Sequence, residues 1–76
     1  MMRLQKFIER SASGEQSGRV AYALKPDQLP HAKNGSTWEA IASFNAADEV
    51  LADPKLKDVF KAAITHGVAV VEKGPD

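Results

Sequence analysis

The chain has 76 residues, no cysteine and a formal net charge of zero, and 43% of its residues are hydrophobic. The lack of cysteine excludes disulfides and thiolate metal sites and removes any sign of an oxidising compartment. No apolar stretch of signal-peptide or membrane-span length follows the charged N-terminal residues, so we expect a cytoplasmic protein. A chain of this length forms one domain, residues 1–76, which buries only about 60% of its unfolded surface. A core this small usually needs disulfides, a bound metal or oligomerisation to be stable. With disulfides and thiolate metal sites excluded, we expect oligomerisation, and a homodimer is its commonest form.

The first segment, residues 2–10, places Leu4, Phe7 and Ile8 at intervals of three and four residues. This spacing favours a helix, although a strand stays possible for so short a segment. Residues 11–18 are small, polar and glycine-containing, which is typical of a loop. We therefore expect residues 1–18 to form a loosely packed arm beside a core of residues 19–75.

Residues 19–25 alternate between apolar and polar or small side chains, with Val20, Tyr22 and Leu24 on one face. Such alternation predicts a strand. Pro26 ends it, because proline has no backbone N–H to donate to a neighbouring strand. The following residues, up to Gly35, are rich in turn formers and predict a structured loop in which Leu29 fills a gap in the core.

Residues 36–52 carry the pattern of a helix. Ser36 stands three residues before Glu39, which is the spacing of a capping box. Trp38, Ile41 and Phe44 follow at helical intervals. We therefore predict a helix that begins at Ser36 and ends near Ala52.

Asp53 and Pro54 predict the start of a second helix that runs to Thr65, because aspartate caps helices and proline suits their first position. Gly67 fits the left-handed position just after a helix, and His66 fits the helix end as a structural residue. Residues 68–73 then predict a strand beside the first one, ended by Gly74 and Pro75.

The predicted order is α-β-α-α-β, an α+β fold in which a helical hairpin packs on a small sheet. A two-stranded sheet is marginal in water, and its edges need cover. We therefore expect dimerisation to complete the sheet by joining the strands of two copies.

No group of residues in the sequence is typical of catalysis. The chain has no cysteine nucleophile, its serines lie outside a glycine-flanked elbow, and the phosphate-loop pattern is missing. His31 and His66 are far apart in the chain, so no metal site is expected either. We predict that the protein is not an enzyme and binds no cofactor.

These observations favour a non-catalytic protein–protein interaction module with an accessory or regulatory role, such as an inhibitor, an adaptor or a small subunit. The predicted contact surface combines aromatic residues with basic residues that suit an acidic partner: Tyr22, Trp38, Arg3, Lys6, Arg10 and Arg19. The alternative is a small DNA-binding transcriptional regulator that contacts phosphates through lysines of the second helix, Lys55, Lys57 and Lys61.

Overall fold

A computed structural model describes residues 2–33 and 35–72 of the chain. Its elements in chain order are β1 (Arg3–Arg10), β2 (Gln16–Ala23), a short 3-10 helix (Pro26–Gln28), β3 (Thr37–Asn45), α1 (Glu49–Ala52), α2 (Pro54–His66) and β4 (Val68–Glu72). The four strands form one antiparallel sheet in the order β3-β1-β2-β4.

One face of the sheet packs against the two helices, and we call it the helix face. Its core is formed by Leu4 of β1, Val50 of α1 and Ala63 of α2, all of which are buried. Larger, partly buried side chains complete this layer: Tyr22, Leu24, Phe44, Ala46, Leu56, Val59 and Phe60. Burial of apolar side chains therefore holds the helices on the sheet.

The opposite face is covered by the chain that connects β2 to β3. Because β2 and β3 lie on either side of β1, this connection must cross β1. We call its first part, residues 25–33, the strap, and the face beneath it the strap face. Leu29 of the strap packs on a buried cluster of Phe7, Ala21 and Ala23, as predicted for a core-filling loop residue.

Three predicted elements are confirmed. The alternating segment forms β2, although the strand begins earlier, at Gln16. The Asp53 side chain caps α2 by accepting a hydrogen bond from the N–H of Lys55 (2.9 Å). Gly67 ends α2 in the left-handed conformation, with φ of 88°, and β4 pairs with β2 as expected. The predicted end of this strand at Gly74 and Pro75 lies outside the described residues, as does Lys73.

The helix favoured for residues 2–10 is wrong, because this segment forms β1 in the middle of the sheet. A central strand is covered on both faces, so its apolar residues need not follow a period of two. Leu4 lies under the helices, whereas Phe7 lies under the strap. Within the predicted loosely packed arm, residues 1–18, the structure therefore places residues 3–10 in a central strand with buried side chains.

The helix predicted for residues 36–52 is wrong as well, because most of this segment forms β3. Ala42 pairs with Lys6 and Ala40 with Phe7, so Ile41 is an extra residue that forms a bulge. The bulge shifts the alternation by one residue, which leaves Trp38 and Phe44 on opposite faces. Ser36 therefore precedes a strand and not a helix, and its backbone N–H donates to the carbonyl of Lys33 in a turn.

The element order therefore differs from the predicted one, and the helical hairpin is reduced to α2 preceded by the single turn of α1. The α+β class remains correct in broad terms. One chain supplies all four strands of the sheet, so a second copy is not needed to reach that number. The homodimer itself stays a prediction.

Candidate interaction surface

The six residues predicted to contact a partner are divided between the two faces of the sheet. Lys6 and Tyr22 pair across β1 and β2 on the helix face, with the Lys6 Nζ atom 5.9 Å from the ring centroid. Arg10 shares this face and forms an ion pair with Glu39 of β3. The Arg10 side chain also donates a hydrogen bond to the Gly14 carbonyl (2.9 Å).

The other three predicted residues, Arg3, Arg19 and Trp38, lie on the strap face. The Arg3 Nε atom donates to the Ser43 hydroxyl (2.8 Å). The Arg19 guanidinium stacks on the Trp38 ring at 5.1 Å and pairs with Glu9. The structure thus places the six residues in two groups of three, with the charges of Arg10 and Arg19 already paired inside the chain.

Glu9 is the centre of a buried polar network on the strap face. Its side chain is completely buried and accepts two hydrogen bonds from Arg19, to Oε1 from Nε (3.1 Å) and to Oε2 from Nη2 (2.6 Å). The backbone N–H of Lys33 also donates to Oε2 (2.7 Å). A carboxylate with this set of donors can stay charged in the interior, because hydrogen bonds to ionised groups are the strong ones.

Two further hydrogen bonds join this network to the strap backbone. Arg19 Nη2 donates to the carbonyl of His31 (3.2 Å), and the Trp38 indole N–H donates to the carbonyl of Pro30 (2.7 Å). Sequence reasoning missed Glu9, because the helical interpretation of residues 2–10 gave it no special position. In a strand, the alternation from Phe7 to Glu9 places both on the same covered face.

The outer edge of β4 differs from the other features because it combines apolar side chains with an open strand edge. β4 is an outer strand of the sheet formed by the described residues, and only its inner edge pairs, with β2. Val70 and Val71 point to opposite faces and are 40% and 39% exposed. The outer backbone groups of β4 and these valines together form a surface that we call the β4 edge.

The second outer strand, β3, presents a different edge. The bulge at Ile41 interrupts its register, whereas the pairing of β4 with β2 runs without a shift from Val68 to Glu72. A bulge twists an edge away from further pairing, and natural sheets use it to prevent association. Of the two outer strands, β4 is therefore the better template for another strand.

The lysines of the DNA-binding alternative, Lys55, Lys57 and Lys61, are all exposed on α2. In a helix-turn-helix motif, the helix before the recognition helix crosses the DNA backbone. The helix before α2 is α1, which has four residues. The lysines are thus accessible, but the element expected to present α2 to DNA has a different structure.

Among residues 2–33 and 35–72, no three side chains of the metal-binding types come close enough to hold a metal ion. Within the same residues, no helix is both long enough and apolar enough to cross a membrane.

No protein-family model matches the chain, and no curated protein or solved structure matches it either.

Proposed function

We propose that the protein is a small, non-catalytic protein–protein interaction module with an accessory or regulatory role, such as an inhibitor, an adaptor or a small subunit. The observation that carries this proposal is the β4 edge, whose outer side pairs with no other strand of residues 2–33 and 35–72 and carries two half-exposed valines. An extended chain that adds to such an edge gains affinity from main-chain hydrogen bonds and specificity from the alternating side chains. The partner therefore contributes a strand.

The simplest partner is a second copy of the chain, in agreement with the homodimer predicted from the sequence. An antiparallel pair formed by one strand and its own copy is self-complementary about a two-fold axis, which is the symmetry of most homodimers. Pairing of β4 with its copy extends the four-stranded sheet into a continuous sheet of twice that size and covers both β4 edges.

An acidic partner and a cytoplasmic location remain predictions from the sequence. Arg10 and Arg19 already pair with carboxylates of the chain. An acidic contact therefore depends mainly on Arg3 and Lys6, which lie on opposite faces of β1. For this reason we base the proposal on the β4 edge rather than on the basic residues.

The proposal is tested by affinity purification of the tagged protein from its native cell, with three versions of the chain compared. Val70→Asp places a charge on the β4 edge, and Ile41→Asp places the same charge on β3, at a residue that is 46% exposed. We expect proteins recovered with the wild type to be recovered with Ile41→Asp and lost with Val70→Asp. Recovery that is equal for both folded variants contradicts the role of the β4 edge.

The DNA-binding alternative is supported by the exposure of the three lysines of α2. Phosphate contacts are strongest at low ionic strength, so a mobility shift of random duplex DNA at low salt is the sensitive test. This alternative is favoured if the fraction of shifted DNA increases as the salt is diluted and decreases in the Lys57→Gln, Lys61→Gln double variant. Absence of a shift at low salt eliminates it.

A further inference from the structure

The two layers that cover the sheet are attached by different kinds of interaction. The helix layer rests on a cluster of buried apolar side chains from β1, α1 and α2. The strap adds a single apolar contact residue, Leu29, to the cluster on its face, while most of its other residues are exposed. Its backbone forms local turn hydrogen bonds, from Gln28 to Lys25 and from Leu29 to Pro26.

Polar contacts attach the strap to the sheet near its C-terminal end, at residues 30, 31 and 33. The carbonyls of Pro30 and His31 and the N–H of Lys33 are bound by side chains of Trp38, Arg19 and Glu9, respectively. These three side chains also contact one another, through the Glu9–Arg19 ion pair and the stacking of Arg19 on Trp38. The attachment of the strap is therefore a single connected network and not three independent bonds.

We propose that the strap is a lid that opens as a unit while the sheet and helices stay folded, and that the Glu9–Arg19 ion pair is its latch. Local opening is favoured where apolar contacts are few and the chain is largely exposed. In the strap, Leu29 is the apolar contact to the buried cluster, and most residues are exposed. Opening uncovers the buried cluster of Phe7, Ala21 and Ala23. The proposed lid and its latch lie on the strap face, so they do not depend on the proposed role of the β4 edge.

Native-state hydrogen exchange of the full wild-type chain, followed by NMR over a range of low denaturant concentrations, tests the separate opening. We expect the Lys33 amide and the Trp38 indole N–H, each compared with its own intrinsic exchange rate, to be protected at least about tenfold less than the most protected amides of β1 and β2, with little denaturant dependence. Equal protection of all these groups, with one denaturant dependence, overturns the proposal. The measurement needs no variant, so the outcome does not depend on a variant that folds.

The latch is tested by Glu9→Gln, which removes the charge and keeps the shape of the side chain. Since hydrogen bonds to a charged group are stronger than neutral ones, exchange at Lys33 and Trp38 should accelerate roughly tenfold or more relative to the wild type, and its denaturant dependence should stay small. Glu39→Gln is the matched control, because it neutralises an exposed carboxylate that pairs with Arg10, and it should leave the strap unchanged. Exchange at Lys33 and Trp38 that is unchanged in Glu9→Gln, or equally accelerated in Glu39→Gln, contradicts the role of the latch.

Discussion

At the scale of single residues, the two ion pairs of the sheet differ in burial. Glu9 is completely buried, and the Arg19 side chain beside it is only 15% exposed, whereas the side chains of Arg10 and Glu39 are 36% and 49% exposed. Removal of one partner from a buried pair leaves an uncompensated charge, while exposed pairs contribute little because water and salt screen them. The two glutamates should therefore respond very differently to the same substitution.

We predict that Glu9→Ala lowers the free energy of unfolding by about 3–5 kcal/mol, the range typical of a broken buried pair. Glu39→Ala should lower it by less than about 1 kcal/mol. Urea denaturation followed by circular dichroism measures both values. Equal and small losses would show that the Glu9 network contributes little to the stability of the fold.

Gly67 and His66 form a second contrast, at the junction between α2 and β4. Gly67 has φ of 88°, where a Cβ atom is strained, so Gly67→Ala should destabilise the protein by about 1–2 kcal/mol. His66 is exposed at the helix end, and His66→Gln should change stability by less than about 0.5 kcal/mol. Thermal denaturation of both variants is the test, and a larger loss for His66→Gln contradicts this account of the junction.

At the scale of elements, two kinds of segment are well predicted by the sequence. One is a strand with a single apolar face, and the other is a helix with recognisable capping residues at its ends. The alternation of Val20, Tyr22 and Leu24 identifies β2, and the caps at Asp53 and Gly67 delimit α2. These signals are local, so they do not depend on which other elements pack nearby.

β1 and β3 are not predictable in the same way, because tertiary structure changes their patterns. The strap buries the second face of β1, and a covering loop cannot be inferred from the spacing of Leu4, Phe7 and Ile8. In β3, the bulge at Ile41 converts an alternating pattern into one with intervals of three. The burial of Glu9 depends on both facts, which explains why the centre of the polar network could not be found from the sequence.

The position of β1 leads to a prediction for the N-terminal segment. β1 pairs with both β2 and β3, so its removal separates β3 from the rest of the sheet. Deletion of residues 2–15 should therefore abolish cooperative unfolding and the dispersed amide signals of a folded protein. A deletion variant that still unfolds cooperatively would restore the interpretation of this segment as an arm.

At the scale of the whole molecule, the sheet has an apolar helix layer on one face, a strap fastened by polar contacts on the other, and two outer strands of different character. The bulged β3 edge resists further pairing, whereas the β4 edge has a regular register and exposed valines. A small domain with a thin core gains stability when such an edge is covered. The β4 edge is therefore central to the proposed function.

The oligomeric state of the wild type, Val70→Asp and Ile41→Asp, measured by sedimentation at low micromolar concentration, tests this claim most directly. We predict a dimer for the wild type and for Ile41→Asp. Val70→Asp should be a folded monomer, because a charge at the β4 edge opposes pairing and Val70 is exposed enough to be replaced without loss of the core. A wild-type chain that is a stable monomer, or a Val70→Asp variant that remains a dimer, would contradict the pairing of β4 with its copy.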